Sequence, residues 1–249
     1  MRGRRGDWSL LFVLWAVFIV VGELLAWKVD LLPGNYAREG EVVDEAYILL
    51  IALAVPVFAG VAATLLTMMV RHTTWKLGDA PPTEDGRYLP HHRTLTIVWV
   101  TVSALLAAGV AVNPGFVGLR DFRGEQRADH VIAVQAQRWS WQFTYENGAV
   151  ATDELVLPVD ERIRFDLSSI DIVHSFWIPA FRVKLDNVPG RTTQLYVTPE
   201  REGDYADNFN LRIQCAELCG LDHAKMAVPV RVVSGAEFDR YLDSLRTGV

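Results

Sequence analysis

The apolar positions of this chain fall into two regimes. Three long apolar runs come first: Leu10–Trp27, broken only by Glu23; Ala46–Val70, without a charge; and Thr94–Val112, also uncharged. A helix rises about 1.5 Å per residue, and about 20 residues cross a roughly 30 Å hydrocarbon core. The runs therefore predict membrane-spanning helices over about 9–27, 46–70 and 94–112, and together they leave too little polar surface for a soluble helical fold. From His130 the period changes. Val131, Ala133, Gln135, Gln137, Trp139, Trp141, Phe143 and Tyr145 sit two apart, the spacing of a strand with one buried face. Asn147-Gly148 is a hairpin signal. Short runs follow at 154–157, 162–167, 176–178, 182–185, 193–197, 210–214 and 228–233, punctuated by Pro158, Pro179, Pro189-Gly190, Pro199 and Gly203. Many short strands so spaced predict a sandwich or barrel. Phe238, Tyr241, Leu242 and Leu245 lie at helical spacing and predict a short terminal helix. The expected fold is a membrane-anchored all-β protein: anchor 1–120, β domain 121–235, helical tail 236–249.

Charge sharpens this picture. The net charge is −6. Residues 1–120 carry 10 basic and 10 acidic side chains, residues 121–249 carry 14 and 20, so the whole deficit sits on the β domain. A nucleic-acid binder needs the opposite sign, and no nucleic-acid partner is expected. Arg2, Arg4 and Arg5 precede the first run. The link 28–45 holds Asp30, Glu39, Glu41, Asp44 and Glu45 against Lys28 and Arg38, and the link 71–93 holds Arg71, Lys76, Arg87 and Arg93. Basic residues favour the cytoplasmic side. This places the N-terminus and the basic link inside, and the acidic link and residues 113–249 outside. Trp8, Trp27, Trp75 and Trp99 stand near the predicted span ends, where interfacial anchors belong. The first run also has the basic start of a secretory signal, but no clear small-x-small site follows it, and it is read as a retained span. Mid-span Pro56 and Gly60 suit either a kink or a close helix neighbour.

The chemistry lies between residues 174 and 226. The two cysteines of the chain, Cys215 and Cys219, are four apart; His223 follows four later, Met226 three after that, and His174 stands upstream. Two thiolates, two imidazoles and a thioether select a soft metal. A disulfide and a tetrahedral zinc site are the alternatives. Met226 tips the choice to copper, because zinc sites are built from Cys, His and carboxylate. One blue-type copper would need one Cys and two His. Two of each give each of two coppers an imidazole and a share of both sulfurs, a thiolate-bridged pair.

These residues carry a family resemblance. The stretch from Asp171 to Met226 contains His174-Ser-Phe-Trp-Ile-Pro, Lys184-Leu-Asp-Asn-Val-Pro-Gly-Arg191 and Cys215-Ala-Glu-Leu-Cys-Gly-Leu-Asp-His-Ala-Lys-Met226, and it resembles subunit II of the haem–copper cytochrome c oxidases. The resemblance implies a cupredoxin-like Greek-key β-sandwich and a binuclear copper A centre. In it Cys215 and Cys219 bridge, His174 and His223 are terminal ligands, Met226 is a weak ligand to one copper and the Glu217 carbonyl to the other. It further implies that the Glu217 side chain helps bind magnesium at the contact with subunit I. It makes Trp139 the point where a c-type cytochrome delivers its electron, and it sets Asp171, Arg182, Asp186 and Arg191 at the interface near the haem propionates. The implied partners are subunit I, which reduces oxygen, subunit III, the cytochrome donor and the bilayer. The implied place is a bacterial-type inner or plasma membrane, with the copper domain on the outer face. A copper A nitric oxide reductase subunit and a copper chaperone are the alternative readings.

Departures from the family pattern are expected to matter. The family usually has two membrane helices, and three are expected here. A glutamate near the start of the last helix, at the mouth of a proton path, is replaced by Thr96. Glu84, Asp85 and His92 lie in the same inner link, and His92, four residues earlier and of a type that titrates near neutral pH, or a partner's carboxylate is the candidate substitute. Arg138 stands where the family usually has glutamine, directly before Trp139. No Cys-x-x-Cys-His motif is present, so the donor haem is expected on another chain.

Overall fold

A computed structural model describes residues 5–29, 32–72, 93–123 and 127–247. The chain forms two compact units, one from Met1–Leu31 with Ala46–Val117, the other from Leu32–Glu45 with Gly118–Val249.

The first unit is helical. Its helices are α1 (Arg5–Lys28), most of α2 (Arg38–His72) and α3 (Arg93–Val110). Among the described residues three helices are long and apolar enough to cross a membrane. Their large apolar side chains face outward, as with Val57, Phe58, Trp99 and Leu105, the reverse of a soluble fold and the arrangement that lipid favours. α1 and α2 meet through small residues. Gly60 faces the Trp15 ring, a Cβ on Gly22 would stand 2.7 Å from Val55, and the Trp15 indole donates to the Pro56 carbonyl at 2.8 Å. The mid-span glycine thus serves a close neighbour. Beyond α3 the chain passes through Ala111–Phe116, where Asn113 leaves helical geometry beside Pro114, which has no N–H to donate. It then resumes as α4 (Val117–Arg123).

The second unit is a β-sandwich of two five-stranded sheets. Its strands are β1 (His130–Gln137), β2 (Ser140–Thr144), β3 (Val150–Ala151), β4 (Leu155–Pro158), β5 (Ile163–Ser169), β6 (His174–Ile178), β7 (Val183–Asn187), β8 (Thr193–Val197), β9 (Arg212–Cys215) and β10 (Ala227–Val233). One sheet runs β3-β2-β1-β5-β8, the other β4-β10-β9-β6-β7. Between them lie Ile132, Val134, Trp141, Phe143, Phe165, Phe176, Ile213 and Val230. The terminal helix α5 (Gly235–Thr247) covers this core with Phe238, Tyr241, Leu242 and Leu245, as its spacing predicts.

The alternation from 131 to 145 is not one strand. The chain turns at Arg138-Trp139, and β2 returns along β1 with Gln137 opposite Ser140 and Ala133 opposite Thr144. The buried phase flips there, from Ile132, Val134 and Ala136 to Trp141, Phe143 and Tyr145. The Asn147-Gly148 turn is where expected, with Gly148 at φ +80° and Gly148 N–H donating to the Tyr145 carbonyl at 2.9 Å.

The acidic link also does more than connect helices. α2 starts at Arg38 and runs 35 residues, about 50 Å at about 1.5 Å per residue, well past the hydrocarbon core. Just before it, Tyr36 and Ala37 are buried in the β unit. Tyr36 N–H donates to the Ala180 carbonyl and Arg38 N–H to the Thr198 carbonyl, both at 3.0 Å. Glu39, 3% exposed, accepts from Arg162 at 2.8 Å and from Thr198 N–H at 2.9 Å. Asp44 takes the Arg182 guanidinium on both oxygens, at 2.8 and 3.1 Å.

Candidate metal centre

His174 opens β6 and Cys215 closes β9, neighbouring antiparallel strands with Phe176 opposite Cys215. The chain then leaves the sheet in a loop that returns as β10. That loop is closed at its base by Cys215 N–H to the Met226 carbonyl and Ala216 N–H to the Ser175 carbonyl, both at 3.0 Å. The buried Trp141 indole also donates to the Met226 carbonyl, at 3.4 Å. A short 3-10 turn, His223–Lys225, aims His223 back at the cysteines.

The result is two matched half-sites. Cys215 and Cys219 are free and buried, with sulfurs 3.7 Å apart. Around Cys215 Sγ stand His174 Nδ1 at 3.8 Å and the Glu217 carbonyl at 3.2 Å. Around Cys219 Sγ stand His223 Nδ1 at 3.5 Å and Met226 Sδ at 3.8 Å. His174, Cys215 and Cys219 place their ligand atoms within 4.8 Å of one another. Among the described residues this is the one histidine, cysteine and carboxylate group gathered closely enough to hold a metal. The donors are soft sulfur and imidazole, so they fit copper. Burial, and then the Cys215 thiol beside it, push the Cys219 thiol up to about 11. Without a metal Cys219 therefore keeps its proton at neutral pH, and a metal must displace it.

The family model described as "Cytochrome C oxidase subunit II, periplasmic domain" matches residues 149–233, which span this centre.

The chain matches the cytochrome c oxidase subunit II family. It is 26% identical over 245 residues to cytochrome c oxidase subunit 2 of Cereibacter sphaeroides, covering 82% of this chain and 75% of that one. It is 25% identical over 259 residues to the probable subunit 2 of Rickettsia bellii, covering 93% and 89%. Against the Alkalihalophilus pseudofirmus subunit 2 it is 32% identical over 162 residues, covering 62% and 45%. The crystal structure of the periplasmic domain of subunit II of the Bradyrhizobium japonicum cytochrome oxidase is 29% identical, covers 49% of this chain and 96% of that one, and has a TM-score of 0.45.

The other residues expected from the resemblance to the subunit II family are placed as follows. Trp139 sits at the β1–β2 turn, 37% exposed, with its ring against Gly220 of the metal loop, where a Cβ would be 3.4 Å from it. Gly220 has φ +116°, a conformation that favours glycine. Asp171 lies three residues before His174 and bonds to it, Oδ1 to Nε2 at 2.9 Å. Burial alone would raise the Asp171 carboxyl, but the bonds from His174 and from the N–H groups of Arg138 and Ile172 outweigh it and hold the carboxyl well below the usual carboxylate range. Arg182, expected at a subunit interface, is largely buried and turned to Asp44, the Pro179 carbonyl and the Pro33 carbonyl. Asp186 and Arg191 are exposed, as is the Glu217 side chain, which stands outside the metal group. Thr96 lies exposed in the first turn of α3, while His92 falls outside the described residues. Sequence reasoning missed Gly220 and the bond from Arg138 N–H to Asp171. The one available signal was the glycine directly after Cys219.

Proposed function

We propose that this chain is the electron-accepting subunit of a membrane-bound cytochrome c oxidase, taking electrons from a c-type cytochrome and handing them to haem in subunit I, where oxygen is reduced. The observation that carries the reading is the pairing of two buried thiols, each with its own imidazole and its own weaker donor. His174, Cys215, Cys219, His223, Met226 and the Glu217 carbonyl would hold two coppers. Bound there, such a pair supplies a one-electron relay whose charge is shared over two metals, so that little geometry changes on transfer. The chain's own part is to hold His174 and Cys215 on two paired strands and Cys219, His223 and Met226 on the loop between β9 and β10, to keep water out with Trp141 and Phe176, and to offer an accessible indole. Trp139 would receive the electron, since it is partly exposed and packs on the loop that carries Cys219.

The remaining contacts follow from this reading. Asp186 and Arg191 would face subunit I near its haem propionates, with subunit III as a further partner of the complex. Arg182 would instead brace the β unit from within. The exposed Glu217 carboxylate would contribute to a magnesium site completed by subunit I, since a carboxylate suits a hard cation. Proton uptake on the inner side would use His92 in place of the missing glutamate, with Thr96 binding water.

Electron paramagnetic resonance of the purified, copper-loaded full chain tests the proposal. The expected spectrum is that of one unpaired electron shared equally by two copper nuclei. A spectrum from isolated single coppers would overturn it. Trp139→Phe should keep that spectrum and slow reduction by the cytochrome.

A further inference from the structure

The turn between β5 and β6 carries a carboxylate with an unusual set of partners. Asp171 Oδ1 meets His174 Nε2 at 2.9 Å, Ile172 N–H at 2.7 Å and the Ser169 hydroxyl at 3.2 Å. Its Oδ2 accepts the Arg138 N–H at 2.9 Å and lies 3.5 Å from Arg138 Nε. One side chain therefore binds a candidate metal ligand through one oxygen and the turn that bears Trp139 through the other.

The histidine side of this is decisive for geometry. His174 is fully buried. A neutral imidazole has one donor and one acceptor nitrogen. With Nε2 facing a carboxylate, the proton belongs on Nε2 and the lone pair on Nδ1, which is the atom facing Cys215. A carboxylate behind a ligating histidine fixes both its tautomer and its ring orientation. The tryptophan side closes a loop of contacts. Trp139 rests on Gly220, next to Cys219, and its neighbour Arg138 is tied back through Asp171 to His174. The indole is thus held to the centre from two directions.

We infer that Asp171 is a positioning residue that fixes His174 and the Trp139 turn in a single frame. The inference rests on the copper reading above.

The carboxylate is needed on both oxygens. A carboxamide accepts on one atom only, so in Asp171→Asn the amide nitrogen must face a donor, either His174 Nε2–H or Arg138 N–H, and one strut fails. The test uses the full chain in detergent, copper-loaded, read by paramagnetic resonance and by stopped-flow reduction with a c-type cytochrome. Asp171→Asn should keep copper but change the hyperfine spacing, and should slow reduction by about 10-fold, the lower end for loss of an outer partner of a ligating histidine. Arg138→Gln keeps the backbone N–H and should leave the spectrum as in the native chain. An unchanged spectrum in Asp171→Asn, or the same change in Arg138→Gln, overturns the inference. If Asp171→Asn holds no copper, Asp171→Glu decides: copper binding with a shifted spectrum supports a positioning carboxylate, and no binding reduces Asp171 to a structural residue. A native chain without the shared-electron spectrum overturns the copper reading, whereas a native chain with it and an unaltered Asp171→Asn overturns this inference alone.

Discussion

Replacing Asp44 by alanine should destabilise the β unit far more than its place in a polar link suggests. The Arg182 side chain is 9% exposed and Asp44 21%, and the two form a bidentate pair at 2.8 and 3.1 Å. Removing one partner of a buried pair costs about 3–5 kcal/mol, because the other charge stays out of water. Asp44 is partly wet, and Arg182 keeps the Pro179 and Pro33 carbonyls, so about 2–3 kcal/mol is expected. For a unit of this size that lowers the midpoint by about 6–12 °C. The assay is heat unfolding of the full chain in detergent, followed by near-ultraviolet circular dichroism, to which the packed aromatics of the sandwich, Trp141 and Phe143 among them, contribute. A double-mutant cycle isolates the pair. Arg182→Gly is the suitable second change, because Arg182 sits at φ +58°, where glycine fits without strain. A coupling above about 1 kcal/mol is expected. A loss below about 0.5 kcal/mol for Asp44→Ala, or strictly additive single changes, would refute the view that this pair braces the sandwich.

Three further outcomes follow from the site. Cys215→Ser should abolish the shared-electron spectrum and the near-infrared copper band while leaving the fold, since a hydroxyl is neither soft nor ionised at neutral pH; a variant with both coppers and full turnover would contradict the assignment. Gly220→Ala should cost about 1–3 kcal/mol of loop strain and displace Trp139, visible as a lower copper affinity and a red-shifted indole emission; native values for both would mean the loop tolerates a side chain there. In the assembled complex, His92→Ala should lower steady-state turnover and alter its pH profile, while Thr96→Glu should restore the rate, and an unchanged profile in His92→Ala would remove His92 from proton uptake.

The centre was legible because its chemistry is compressed into a few residues. Cys215, Cys219, His223 and Met226 share one loop, and only His174 had to be brought from another strand. The strands were legible because alternation and turn residues mark them locally. The turn at Arg138-Trp139 was not, because apolar residues occur on both phases of β1 and a two-residue turn without Gly, Asn or Asp leaves no local mark. The burial of Tyr36 and Glu39 and the pairing of Asp44 were hidden for a different reason. An acidic stretch between two greasy runs reads as a solvated link, and the arginines that neutralise it, Arg162 and Arg182, lie more than a hundred residues away. The pairing of Arg182 with Asp44 was hidden by the same blindness: sequence shows a charge but not its partner.

The β unit is discontinuous along the chain, since Leu32–Glu45 and Gly118–Val249 belong together with α2 and α3 intervening. Two pieces of one folded body must lie on the same face of a bilayer, so the chain between them has to cross an even number of times. The two helices that intervene are long and apolar enough to supply two crossings, which meets that parity condition without appeal to the distribution of lysine and arginine. The same condition imposes an order on biosynthesis. Tyr36 and Asp44 leave the ribosome long before Ala180 and Arg182, and the sandwich cannot close until both helices are threaded. A change that keeps α3 from inserting would strand the two pieces on opposite faces and prevent folding of a domain whose own sequence is untouched.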